Sequence, residues 1–145
     1  MISILIIFQI FLKVNYIFGV NWFENSLAFD DNGCTSTKVV YIAKNKNKMI
    51  GIVGASETCV NNIWEIGVDV IKEYRNNRLA TYLVAKLTQE LLIRNIIPFY
   101  SASTTNIASH MVANKSGYVP IWVDTFGTIL DGSSVYSDIV NVLSL

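Results

Sequence analysis

The chain has 145 residues and reads as one domain, residues 1–145, able to bury roughly two-thirds of the surface that its unfolded form exposes. It is 52% hydrophobic and 15% charged with zero formal net charge, so no broad field steers it toward nucleic acid or an anionic membrane. Its single histidine, His110, and its two cysteines, Cys34 and Cys59, form no CxxC or Cys/His grouping, which excludes a zinc-finger type of metal site and leaves the cysteines as reduced core residues of a cytoplasmic protein.

Met1 to Leu12 is apolar except for Ser3 and Gln9, and Lys13 and Asn15 end it short of the ~20 residues that a membrane-spanning helix needs. It lacks the basic start and small-residue cleavage site of a signal peptide. A buried strand or helix, or an end left by truncation, is preferred over a membrane anchor; an apolar start of this kind could also serve as a homodimer surface. Asn21 to Lys38 mixes the aromatic residues Trp22, Phe23 and Phe29 with the loop residues Asp30-Asp31-Asn32-Gly33.

Two apolar runs, Val39–Ala43 and Met49–Ala55, flank the polar Lys44–Lys48 and predict an antiparallel hairpin with its lysines in solvent. A polar turn over Glu57–Asn62 returns the chain into a strand at Ile63–Val70, which alternates from Glu65 onward. Leucines at 79, 83, 87 and 91 then mark one face of a helix over Leu79–Arg94. Pro98–Ser101 predicts a short strand parallel to Ile63–Val70, because a helical crossover joins them. A second helix is expected over Asn106–Ser116, with Ile107, Met111 and Val112 at core spacing and Gly117 in the left-handed position after it. Late strands are expected at Tyr118–Leu130 and Ser134–Leu143, separated by an Asp131-Gly132 turn.

Between Ile63–Val70 and the first helix lies Lys72-Glu73-Tyr74-Arg75-Asn76-Asn77-Arg78-Leu79-Ala80. Strand, basic turn and helix start together form an anion receiver: the first N–H groups of a helix lack intrahelical partners, and the helix dipole adds positive charge there. The other reading is an exposed helix start with two arginines in solvent.

This stretch resembles the pyrophosphate motif of the GNAT acyltransferases, R/Q-x-x-G-x-G/A, with Arg75 and Ala80 on its first and last positions. Asn106 preceding Gly117-Tyr118 resembles that family's second landmark. The combination Ile66–Val70, Ser116–Pro120 and Trp122 is closest to bacterial GNAT-like proteins of unassigned substrate, and the match runs from about Lys38 to Val123. The resemblance implies an α/β (α+β) domain, with a mixed, mostly antiparallel sheet flanked by helices and a start that is short for the plan. In that plan the region before Lys38 holds the first strand and two helices.

The resemblance also implies acetyl-CoA as cosubstrate and an amine as acceptor, with no metal. The backbone of Val68, Asp69 and Val70 would hold the pantetheine arm and polarise the thioester oxygen. Arg75, Asn76, Asn77, Arg78, Leu79 and Ala80 would receive the diphosphate, and Asn106 and Ser109 would meet the CoA arm. Arg78 replaces the expected glycine, and a positive φ there would cost about 1–2 kcal/mol, while its guanidinium could bind phosphate itself. Asn106 is explained equally well as an N-cap. Glu65 and Asp69 share one strand face and could take the proton of an incoming amine; the alternative is a solvent-facing pair. Ala113 occupies the position of the family's usual tyrosine acid. Tyr118 reads as core, and His110 as structural. A catalytically silent GNAT-like binding module is the second expectation.

Overall fold

The computed structural model describes residues 2–8, 25–27 and 35–124. Five strands form one sheet in sequence order: β1 (Ile2–Phe8), β2 (Thr37–Asn45), β3 (Lys48–Glu57), β4 (Ile63–Val70) and β5 (Ile97–Phe99). The first four pair antiparallel, and β5 joins β4 in parallel. Two helices follow the late strands, α1 (Leu79–Ile93) after β4 and α2 (Ile107–Lys115) after β5. The fold class is therefore the expected mixed, mostly antiparallel α/β arrangement.

Tertiary pairing settles what the apolar start does: Ile2–Phe8 lies beside β2, with Ile2 opposite Asn45 and Phe8 opposite Val39. The apolar start thus contains a strand, one of the readings offered for it, and that strand lies before Lys38. Trp22, Phe23, Phe29, Asp30–Gly33 and Cys34 fall outside the described residues, as do 125–130 and the strand expected at Ser134–Leu143. The β2–β3 turn is tighter than its five polar residues suggest. Asn45 pairs with Lys48, leaving only Lys46-Asn47 between the strands, with Lys46 at φ 53°.

Both sheet faces are covered, which explains the near-continuous burial of β2 and β3. On one face, Leu83, Val84, Leu87 and Leu91 of α1 close over Val39, Tyr41, Val53, Ala55 and Ile66. A fully buried leucine contributes about 2 kcal/mol relative to an exposed one, so this leucine row is the main reason that α1 stays where it is. On the other face, Leu27 joins Val40, Ile42 and Ile52.

The second helix begins and ends as its sequence predicts. Asn106 Oδ1 accepts the Ser109 N–H at 3.1 Å. At the other end, Tyr118 N–H bonds Ala113 O and Gly117 N–H bonds Asn114 O, with Gly117 at φ 95°. These paired bonds form a Schellman ending, whose left-handed residue favours glycine. The expected core positions are only partly so: Val112 packs against the α1 cluster, but Ile107 and Met111 are exposed. Residues 118–124 are irregular rather than a strand, with Pro120 removing an amide donor and Trp122 stacked on Phe99 at 5.3 Å. Cys59 is an exposed turn residue, not a core thiol.

Candidate active site

The site begins with a mismatch in strand lengths. Pairing of β5 with β4 covers only Ile63, Trp64 and Glu65, whereas β4 continues to Val70. Beyond Phe99 the chain departs, so the backbone edge of Ile66–Val70 opposite β3 has no strand partner among the described residues. A cavity of about 180 Å³ fills the gap, lined by Asn25, Ser56, Glu65–Val68, Tyr100, Ser101, Asn106 and Ser109. Strand edges carry obligatory donors and acceptors, so an edge left open beside a cavity is a place for an extended ligand to pair.

Alternation along β4 sorts its side chains. Ile66 and Val68 join the α1 cluster, while Glu65, Gly67 and Asp69 project to the opposite face. The two carboxylates have different surroundings. Glu65 lines the cavity, and the Ser101 hydroxyl donates to its Oε1. Asp69 Oδ2 accepts the N–H of Asn25 (3.1 Å), the N–H of Ser26 (2.9 Å) and the Ser26 hydroxyl (2.7 Å); its Oδ1 accepts the Asn25 amide. Asp69 is thus occupied by donors from Asn25 and Ser26 and does not line the cavity, whereas Glu65 is the carboxylate among the described lining residues.

Asp69 anchors a segment that presses closely onto the sheet. A Cβ at Gly67 would fall on the carbonyl oxygen of Asn25, and one at Gly54, its register partner on β3, on that of Ser26. Thr37 Oγ1 donates to the same Ser26 oxygen at 3.0 Å. Asn25 thereby becomes one wall of the cavity.

Beyond Val70 the chain makes the turn into α1. Arg75 folds back, its Nε donating to Val70 O at 2.9 Å. Asn76 and Arg78 both stand in the left-handed region, at φ 62° and 60°. Arg78 stands where the anion-binding motif has glycine, so the backbone takes the glycine-type path there without glycine. Arg75–Arg78 are exposed, and Leu79 and Ala80 half-buried. The first intrahelical bond runs from Tyr82 N–H to Arg78 O at 3.0 Å, leaving the amides of Leu79, Ala80 and Thr81 without intrahelical partners.

The second helix connects this turn to the cavity. Its N-cap Asn106 and first-turn Ser109 line the cavity, while Ser116, just past its last turn, donates to Thr81 O at 3.3 Å. Tyr100 lies 3.3 Å from Ser109 Oγ and packs against Tyr118, whose hydroxyl meets Thr88 Oγ1 at 2.7 Å. Burial raises both phenols above their ordinary value of 10.0. His110 donates through Nε2 to Ser103 O at 3.0 Å, a loop-bracing role. The described residues hold no group of three or more potential metal ligands, and none of their helices is long and apolar enough to cross a membrane.

Sequence reasoning placed Tyr100 and Ser101 within a cleft wall at Pro98–Ser101 facing Val68–Val70, and missed Asn25 and Ser56. A signal existed for Ser56, which falls opposite Glu65 once the β3–β4 register is known.

A family model described as GNAT acetyltransferase matches residues 20–121. No curated protein matches. Among solved structures, aminoglycoside N-acetyltransferase AAC(6')-Iy in complex with CoA superimposes with a TM-score of 0.64 at 15% identity, over 90% of this chain and 95% of that one. An acetyltransferase of the GNAT family from Streptococcus pneumoniae gives 0.61 at 14%, over 89% and 92%. A GNAT-family protein from Novosphingobium aromaticivorans gives 0.51 at 20%, over 55% of this chain, which spans 36% of that one. At such identities the likeness is one of fold.

Proposed function

The chain belongs to the GNAT acetyltransferase family, and from that premise we propose that it transfers an acetyl group from acetyl-CoA to an amine by direct attack within a ternary complex. The observation that carries this is the open edge of β4 beside a cavity lined by Glu65, joined through α2 to an unpartnered helix start. The diphosphate lies on the amides of Leu79 and Ala80 and the turn Arg75–Arg78. The pantetheine follows the β4 edge at Val68–Val70, past Asn106 and Ser109. The thioester sits in the cavity, its oxygen polarised by a β4 amide.

Glu65 takes one proton from the bound ammonium, giving a neutral amine. The amine nitrogen bonds to the thioester carbon, and the carbon–sulfur bond then breaks. The second nitrogen proton neutralises the departing thiolate, leaving an amide and free CoA. Approximation of the two substrates supplies most of the rate effect.

Calorimetry with acetyl-CoA, followed by thiol release on an amine panel, tests this. Binding with turnover is expected, and no binding would end the proposal. Arg78 at φ 60° and alanine at 113 favour a second reading, a module that holds CoA without transferring from it. Binding with no turnover on any amine would select it.

A further inference from the structure

Asp69 sets the orientation of a cavity-lining amide. A carboxylate only accepts hydrogen bonds, so the atom that Asn25 turns toward Asp69 Oδ1 must be its Nδ2. The amide is planar, and its other prong is a carbonyl oxygen. A half-turn of the amide would set Oδ1 against the carboxylate, which disfavours the exchange, while the main chain beneath is held by the Asn25 and Ser26 N–H bonds to Asp69 Oδ2 and by the Asn25 carbonyl resting on Gly67.

The lining also carries the Ser56, Tyr100 and Ser109 hydroxyls and the Asn106 amide, and the groups beside Glu65 add acceptors. Ser101 commits its proton to Glu65 Oε1, which leaves Glu65 Oε2 and the Ser101 lone pairs as acceptors. Asn106 Oδ1 is already occupied by the Ser109 amide. No lysine or arginine is among the described lining residues.

We infer that Asn25 is a specificity-determining residue: its Oδ1, oriented by Asp69, and the Glu65 carboxylate together receive the N–H groups of a protonated primary amine. The inference rests on the acetyl-transfer reading and names its acceptor class. An alkylammonium brings three donors and one positive charge, which suits the Glu65 carboxylate with the Asn25 and Ser101 oxygens as further acceptors. A neutral alcohol of the same shape brings one donor and no charge. Asp69 is thus a positioning residue, acting through Asn25.

The test is calorimetry on the full chain saturated with CoA, titrating putrescine against butanediol as its uncharged analogue. Putrescine is expected to bind and butanediol to bind at least tenfold more weakly. Asn25→Leu should weaken putrescine about tenfold. Asp69→Asn should weaken it about threefold, because an amide partner no longer dictates which prong of Asn25 faces it. A cooperative thermal unfolding transition in both variants reports that they fold. In turnover the loss should fall on KM for the amine rather than on kcat. Equal affinity for diamine and diol, or undiminished putrescine binding in Asn25→Leu, overturns the inference while the acetyl-transfer reading stands. Failure of the wild-type chain to bind acetyl-CoA overturns both.

Discussion

Replacing Arg78 by glycine sets backbone strain and ligand contact against each other at one position. Arg78 holds φ 60° and ψ 10° as the N-cap of α1, and its side chain caps nothing. A residue with a Cβ pays about 1–2 kcal/mol for that conformation, and glycine gives back about 0.4–1 kcal/mol through its freer unfolded chain. Arg78→Gly should therefore stabilise the fold by about 0.5–1 kcal/mol, a rise of roughly 2–4 °C in Tm. A shielded charge-assisted bond to phosphate would be worth about 1.5–3 kcal/mol, but Arg78 is exposed, so about 1 kcal/mol is the better figure, or roughly fivefold weaker acetyl-CoA. Thermal unfolding without ligand and calorimetry with acetyl-CoA give the two numbers on one preparation. Opposite signs are expected: a firmer protein that holds its ligand less well. A variant that is both firmer and tighter-binding would refute the idea that the guanidinium serves the diphosphate.

Glu65→Gln should lower kcat by about a hundredfold or more while leaving the acetyl-CoA affinity unchanged, read by thiol release and calorimetry. Gly67→Ala should cost about 2–3 kcal/mol in urea denaturation, because its methyl group meets the Asn25 carbonyl rather than a side chain that can yield. Leu87→Ala, in the fully buried row of α1, should cost about 2–5 kcal/mol in the same assay. Burial, the leading cause, raises Tyr41, Tyr100 and Tyr118 above 10.0 in the folded protein. Folding thus binds those protons more tightly; the stability is complete below pH 10 and falls as pH rises through the folded values. Tyr118→Phe should flatten that alkaline decline in a pH series of denaturation curves.

Features encoded within a few residues were legible from sequence. The leucine spacing of α1, the Asn106 cap, the Gly117 ending and the β4 alternation all rest on near neighbours, and each appears as expected. The left-handed backbone at Arg78 falls on the glycine position of the motif that the turn resembles. What escaped depends on distant partners. Nothing near Asp69 in sequence says that Asn25 and Ser26 will fill its oxygens, and without them it reads as a second base beside Glu65. Likewise Met111 and Val112 look equivalent on a helical wheel, yet only Val112 meets the α1 cluster. The lining role of Ser56 follows from the β3–β4 register, which is a property of two strands rather than of one.

Gly54 and Gly67 are register partners on adjacent strands, and together they form a trough across the sheet in which the Asn25–Ser26 main chain rests. A main chain bedded this way cannot shift to make room for a bulkier guest. Exchanging the side chain at position 25 would therefore reshape the cavity wall while the scaffold beneath stays as it is.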